Sequence, residues 1–460
     1  MWKSVVVTLL LAATTLGAET FSKNLINKNV ERIIDLSTQL VKVTTTITLE
    51  NAGKDVETNF HLIPEPEHLG SLSHVSVKDA LKQDLKVHQV KVDGKTAYRV
   101  NLRSNLAAGR TANVVVEYVY THALESYPSS ITQKDKQLVR YFGDHYWYSP
   151  YKTSKQTTAV TLASKNIESY SKLKPVSQTE STIKYGPYSD IDAFGIDQMI
   201  IHYENNSPFL TVTRLERLIE ISHWGNIAVQ EDIEILHTGA KLKGSFSRYD
   251  YQRDTSTTHH SIKSYKTVLP AAAHSIYYRD SNGNISTSQV RTRKDWIELE
   301  LRPRFPLFGG WRSSYTLGYS VPSYQYLYKL PNGNYKLNMR LLDHVFDDMQ
   351  VDELETSIVL PVGVQNVQVS YPFEVTKLDN EVAHKFLDTI GRQVIKLKKT
   401  DLVEQHIQDM EIVYEWSPHL LFHEPILISI ALYAMFLICI IYVRLDFSIH
   451  SKKEEHSKKD

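Results

Sequence analysis

The chain has 460 residues, and its 52 lysines and arginines cancel its 52 aspartates and glutamates. That balance leaves no electrostatic footprint for nucleic acid. The single cysteine, Cys439, removes disulfides, thiol catalysis and cysteine metal sites from everything before it.

The N-terminus, MWKSVVVTLLLAATTLGAET, carries a positive Lys3, an apolar run from Val5 to Ala13 and small residues at Gly17 and Ala18. This is the pattern of a secretory signal peptide, residues 1–18, removed from the mature chain. An exported chain without disulfides folds on its hydrophobic cores alone. Strand signals dominate the chain beyond the signal peptide. VTTTITLEN puts Val43, Thr45, Ile47 and Leu49 on one face. TANVVVEYVY, WIELELRPRF and NVQVSYPFEV are β-branched or aromatic runs bounded by turn residues.

YFGDHYWYSPY, residues 141–151, is dense in aromatic rings. Tyr146, Trp147 and Tyr148 could meet a partner, a peptide or a sugar ring, or they could fill a core. Asn205-Asn206-Ser207 is the first of two glycosylation sequons, and Pro208 stiffens it. Next comes SHWGNIAVQEDIEILHTGA, residues 222–240, where two histidines stand among carboxylates. Such a mixture can support acid–base or metal chemistry. Its alternation reads instead as a hairpin: a strand from Leu215 to His223, a turn at Gly225-Asn226 and a strand from Ile227 to Leu236. Ile219, Ile221, Ile227, Val229, Ile233 and Ile235 would face the core, with Asp232 and Glu234 on the other side.

Set side by side, the two halves echo each other. ERIIDLS (31–37) matches ERLIEIS (216–222), and ITLENAG (47–53) matches IEILHTG (233–239). LVRYFGDH (138–145) echoes LNMRLLDH (337–344), and NIESY (166–170) echoes NVQVSY (366–371). The common order points to two copies of one β-rich unit, residues 25–206 and 207–415. His223 and His237 belong to one copy only, which favours the decorated hairpin over an active site.

Farther along, His259-His260 lies in a Ser/Thr-rich loop that reads as solvated. The second sequon, Asn284-Ile285-Ser286, sits in an open Asn-Gly turn context and is the better acceptor. RPRFPLFGGW, residues 302–311, cannot be a central strand because of Pro303 and Pro306. It is an apolar loop with a Gly309-Gly310 turn. Phe305, Phe308 and Trp311 either fold onto their own domain or dock another chain.

A linker, residues 416–424, leads to an uncharged run from Pro425 to Val443. At ~1.5 Å per residue this helix spans ~28 Å, a single bilayer crossing. Arg444 and the lysines of the tail, residues 444–460, fit the cytosolic side, giving a type I protein. The fold expected is mainly β: two tandem β-rich, sandwich-like lumenal domains followed by one transmembrane helix.

HYENNSPFLTVTRLERLIEISHWGNIAVQEDIEILHTGAKLKGSFSRYDYQR closely resembles the ribophorin I family. The likeness continues through LPAAAHSIYYRD, RPRFPLFGGW, LDHVFD, LVEQHIQD and IYVRLDFSI, and includes HYWYSPY and YGPYSDI earlier. The resemblance implies a non-catalytic subunit of the oligosaccharyltransferase of the endoplasmic reticulum membrane. That complex transfers a preassembled oligosaccharide from a dolichol carrier to asparagine of nascent chains, using a metal ion on another subunit. It also implies partners: the other subunits, the catalytic one included, and nascent polypeptides. Animal members carry a long cytosolic region that meets the ribosome; the short tail here counts against that contact.

No nucleophile elbow, phosphate loop or zinc helix appears, so no catalytic residue, metal or cofactor is expected on this chain. The function expected is a scaffold and substrate-presenting subunit. The alternative is a free-standing lectin-like or peptide-binding receptor of the secretory pathway. A lumenal hydrolase would have to rest on His223 or His237.

Overall fold

The computed structural model describes residues 20–253, 260–385 and 387–445. The signal peptide, His259 and the tail beyond Leu445 lie outside the described residues.

Alternation sets the faces of the strands. In Leu25–Leu36, Val30, Ile34 and Leu36 are buried while Glu31 and Ile33 face outward. This strand pairs antiparallel with Val41–Asn51 and parallel with Thr153–Leu162. Thr111–Tyr120 and Leu72–Asp79 extend the sheet on one side, Thr182–Ile191 and Val176–Thr179 on the other. Two smaller sheets lie on its inner face. One joins Glu57–Leu62, Lys95–Leu106 and Val87–Val92; the other joins Ile167–Tyr170, Gln198–Glu204, Leu138–Asp144 and Leu124–Ser126. Val30 and Ile34 of the large sheet, Phe60 and Val100 of the three-stranded sheet, and Tyr141 and Tyr203 of the four-stranded sheet share one core. The result is a sandwich of a large sheet on two small ones.

The second half repeats this topology. Leu210–Ile221 pairs antiparallel with Asn226–His237 and parallel with Gln350–Val359. Arg312–Pro322 and His274–Asp280 continue one side, Arg392–Val403 and Thr376–Lys377 the other. A three-stranded sheet (Tyr265–Pro270, Trp296–Leu301, Gln289–Thr292) and a four-stranded one (Gln365–Ser370, Asp409–Glu415, Tyr335–Arg340, Leu327–Lys329) again cover it. Each echoed pair of segments falls on equivalent strands. Both Glu-Arg segments are first strands of the hairpin, and NIESY and NVQVSY supply the same edge strand of the four-stranded sheet. One core runs from Leu25 to Phe209, the other from Leu210 to Tyr414.

Polar contacts join the halves. Gln39 Nε2 donates to the carbonyls of Leu210 and Asp348 at 2.8 Å each. Lys42 pairs with Asp348, and His122 Nε2 lies 2.7 Å from Asp352. Ser130–Ile131 pairs with Lys241–Leu242 across the junction. The chain then leaves the second half through the turn Pro418–Phe422 and enters a helix, His423–Arg444, none of whose residues is buried. With its preceding turn this helix is long and apolar enough to cross a membrane.

Candidate functional site

The histidine-rich stretch forms the expected hairpin. Its strands are longer than the alternation suggested, Leu210–Ile221 and Asn226–His237, and Ile221 faces Ile227 across the turn. All six apolar residues expected inside are buried. His237 is fully buried at one end. Its Nε2 donates to His260 O at 2.7 Å, and its Nδ1 accepts from Gly239 N at 3.1 Å. Burial pushes it down to about 4, so the ring is neutral with both nitrogens engaged. His223, at the other end, stacks on Trp416 at 3.8 Å and meets the Tyr414 hydroxyl at 3.1 Å. Burial lowers it to about 4 as well. These two rings thus bind a backbone carbonyl and a phenol, not the neighbouring carboxylates. His260, expected in solvent, is buried beneath Phe308.

The residue that the pattern hides is Glu231. Counting by twos from Ile227 puts it among the buried residues, and it is 1% exposed. It neutralises Arg217, which sits between Leu215 and Ile219 on the facing strand. Arg217 Nη1 also donates to Asp343 Oδ2 at 2.8 Å, and Tyr319 donates its hydroxyl to the same oxygen. Two carboxylates share one guanidinium, and burial raises Glu231 above the usual carboxylate range. The first half has a counterpart at the matching position. Arg32 donates to Glu65 Oε1 at 2.9 Å and to the backbone carbonyls of Asp144 and His145. Burial, with the nearby charge of Glu65, raises Asp144 to about 7. In both halves the arginine of the Glu-Arg start reaches the Asp-His segment and locks the small sheet onto the large one.

A cavity of about 390 Å³ opens over Arg217 and Asp343. A larger one, about 580 Å³, lies at the junction of the halves against Thr38, Pro208, Tyr265 and Phe346. Near it, His344, Asp347 and Glu404 bring one ligand atom each within 4.8 Å of one another. Their groups already bind inside the chain: His344 Nε2 lies 3.2 Å from Asp347, and Glu404 accepts from Asp348 N at 2.7 Å.

The aromatic contact candidates are mostly core. Trp147 and Tyr148 are each 4% exposed, and Phe308 is 1% exposed. Trp147 stacks on Tyr118, and Tyr148 is covered by Phe194 and hydrogen-bonded by Lys95. Arg32 holds the backbone of residues 144–146, which draws these rings inward. Tyr146 is half-buried against Tyr188. Phe308 packs on Phe246, Tyr251 and Trp311 under the Gly310 turn, so the loop folds onto its own half. Of these six candidates, Phe305 alone remains exposed, at the edge of the half-buried Trp311. Asn284 is exposed on a two-residue strand. Asn205 is buried, its Nδ2 donating to the carbonyls of Leu36 and Thr38.

The helix root is tied directly to the second half. Trp416 Nε1 donates to Val362 O at 3.0 Å. Arg392 bridges to Glu424 at 3.0 Å, and the Thr389 hydroxyl meets His423 Nε2 at 3.0 Å.

These features define a class: a duplicated β-sandwich carried on a helix suited to a membrane, its conspicuous polar groups spent on the fold. Residues 25–443 match the family described as Ribophorin I. A Caenorhabditis elegans protein named dolichyl-diphosphooligosaccharide–protein glycosyltransferase subunit 1 is 41% identical over 96% of this chain and 76% of its own length. An Arabidopsis thaliana protein named subunit 1B of the same enzyme is 36% identical over 92% of this chain and 94% of its own. The chain belongs to the ribophorin I family. Among solved structures, a leukotriene A4 hydrolase from Saccharomyces cerevisiae aligns over 42% of this chain and 30% of its own at 12% identity, with a TM-score of 0.29. A likeness that small carries no argument.

Proposed function

We propose that this chain is a non-catalytic scaffold and substrate-presenting subunit of the oligosaccharyltransferase. The complex moves a preassembled oligosaccharide from dolichyl diphosphate to asparagine in Asn-x-Ser/Thr of nascent chains. The names of its relatives support membership of that complex. The internal pairing of Arg217, Glu231, Asp343, His223 and His237 supports an accessory part whose catalytic partner is another chain. In this reading residues 25–206 and 207–415 are two lumenal domains of a type I protein of the endoplasmic reticulum membrane. Residues 416–424 are their linker and residues 425–443 the span.

The observation that carries the scaffold role is the helix root. Arg392–Glu424, Thr389–His423 and Trp416–Val362 leave no slack between the β structure and the helix. The domains therefore stand at a fixed height and angle beside the catalytic subunit and hold substrate segments there. Inserting a flexible Gly/Ser segment between Trp416 and Pro418 tests this. Underglycosylation of membrane-protein substrates is the expected result. Unchanged glycosylation, with the variant still assembled, contradicts rigid presentation.

A further inference from the structure

The turn that closes the hairpin exposes Trp224 to the extent of 65%, an unusual position for so large an apolar ring. Its neighbour His223 is clamped on Trp416, which fixes the turn against the segment leading into the helix. Trp224 borders the same small cavity as Leu420, Leu421 and Glu424. Beside the turn, Ser323 N donates to Gly225 O at 3.0 Å, and the next residue, Tyr324, is 74% exposed.

A second exposed patch flanks the same point. Leu387 and Ile390 lie outward on either side of Thr389, which binds His423, and just before Arg392, which binds Glu424. Thus two exposed apolar tips from separate strand connections meet the chain where the apolar helix begins.

We propose that these two tips, Trp224 with Tyr324 and Leu387 with Ile390, rest in the headgroup region of the bilayer and fix the tilt of the β domains over it. This rests on the reading of His423–Arg444 as a membrane span. The heights agree. The uncharged run from Pro425 to Val443 matches the hydrocarbon layer, so Glu424 sits at its edge. The headgroup region adds roughly 5–8 Å on each side; Thr389 and Arg392, beside Leu387 and Ile390, bind His423 and Glu424, and Trp224 shares a cavity with both, which places the tips at that level. Trp and Tyr prefer this zone because the ring is apolar and its N–H or O–H stays wet. The occupant is the lipid surface because the patch is continuous with the helix that enters it. Behind the second tip, Arg392 is held by Asp388 at 2.6 Å and reaches Glu424 at 3.0 Å, which ties this connection to the start of the helix.

The test uses the full chain reconstituted into vesicles of phosphatidylcholine brominated high on the acyl chain, against unbrominated vesicles. The Trp224 signal is the emission of the parent protein minus that of Trp224→Phe, a change at an exposed position that leaves the fold intact. The expected result is loss of most of that difference emission in the brominated vesicles. Equal emission in both, from protein that floats with the vesicles and resists alkaline extraction, overturns the proposal. If Trp224 is then also shielded from a water-soluble quencher, a protein neighbour covers it and the lipid assignment fails. Protein that does not float removes the membrane span, and this proposal with it.

Discussion

Arg217 and Asp343 lie 126 residues apart and meet at 2.8 Å in the middle of the second core. Their counterparts in the first half, Arg32 and Asp144, meet through a backbone carbonyl instead of the carboxylate. One architectural contact has survived duplication with two different chemistries. In the first half it joins the first strand to the last residue of Leu138–Asp144; in the second it reaches just past the end of Tyr335–Arg340.

Removing the guanidinium should therefore be costly. Arg217→Met leaves Glu231 and Asp343 buried without a cation, a situation that costs about 3–5 kcal/mol in buried ion pairs. Denaturant unfolding of the full chain in detergent should show a loss of that order. The triple change Arg217→Met, Glu231→Leu, Asp343→Leu should recover most of it, since apolar replacement of a whole buried network is tolerated. A triple variant as weak as the single one contradicts this reading of the cluster.

Asn284→Gln should remove one glycan, seen as a faster-migrating band equal to the endoglycosidase-treated protein. Asn205→Gln should leave migration unchanged. It should instead lower stability by about 1–3 kcal/mol, because the longer side chain does not fit the buried site where Asn205 donates to Thr38 O and accepts from Ser207 N. A mobility shift from Asn205→Gln contradicts the buried geometry.

Much of the fold is legible in the strands. Alternation in residues 215–236 puts Ile219, Ile227 and Ile233 in the core, where they lie. The echo between Glu31-Arg32 and Glu216-Arg217 marks equivalent strands. Other features are hidden for a physical reason. Glu231 looks like a surface residue because a carboxylate is normally kept in water, and only its alternation with Val229 and Ile233 betrays it. Trp147, Tyr148 and Phe308 read as surface or as core, because aromatic density serves both. What decides between them is Arg32 pulling on a distant backbone and Gly309 packing against Ala240, neither of which has a local signature. Trp224 gives no sign of its exposure, because only the His223–Trp416 stack brings it to the helix root.

Acid should weaken the hold of the buried histidines on the fold. His223, His237 and His406 are each pushed down by burial to about 4, from an ordinary 6.5 in the unfolded chain. Between those values the unfolded chain binds more protons than the folded one. Their contribution to stability is thus complete above pH 6.5 and is lost as the pH falls towards 4. These rings should pull the melting temperature down through that window, against Asp144 and Glu231, whose raised values work in the opposite direction. His406→Asn keeps an acceptor for Val403 N–H and should make the fall shallower. An unchanged slope contradicts a neutral buried ring at this position.

Membership of a larger enzyme, without catalysis of its own, is open to one decisive assay. The chain is purified in gentle detergent through an epitope on the C-terminal tail, and the eluate is assayed for oligosaccharide transfer to an Asn-x-Thr peptide. Transfer activity should co-elute with partner chains and disappear when they are stripped away. A solitary inactive protein, under extraction that keeps other subunits together, would favour a free-standing receptor. Activity retained by the isolated chain would contradict a non-catalytic role outright.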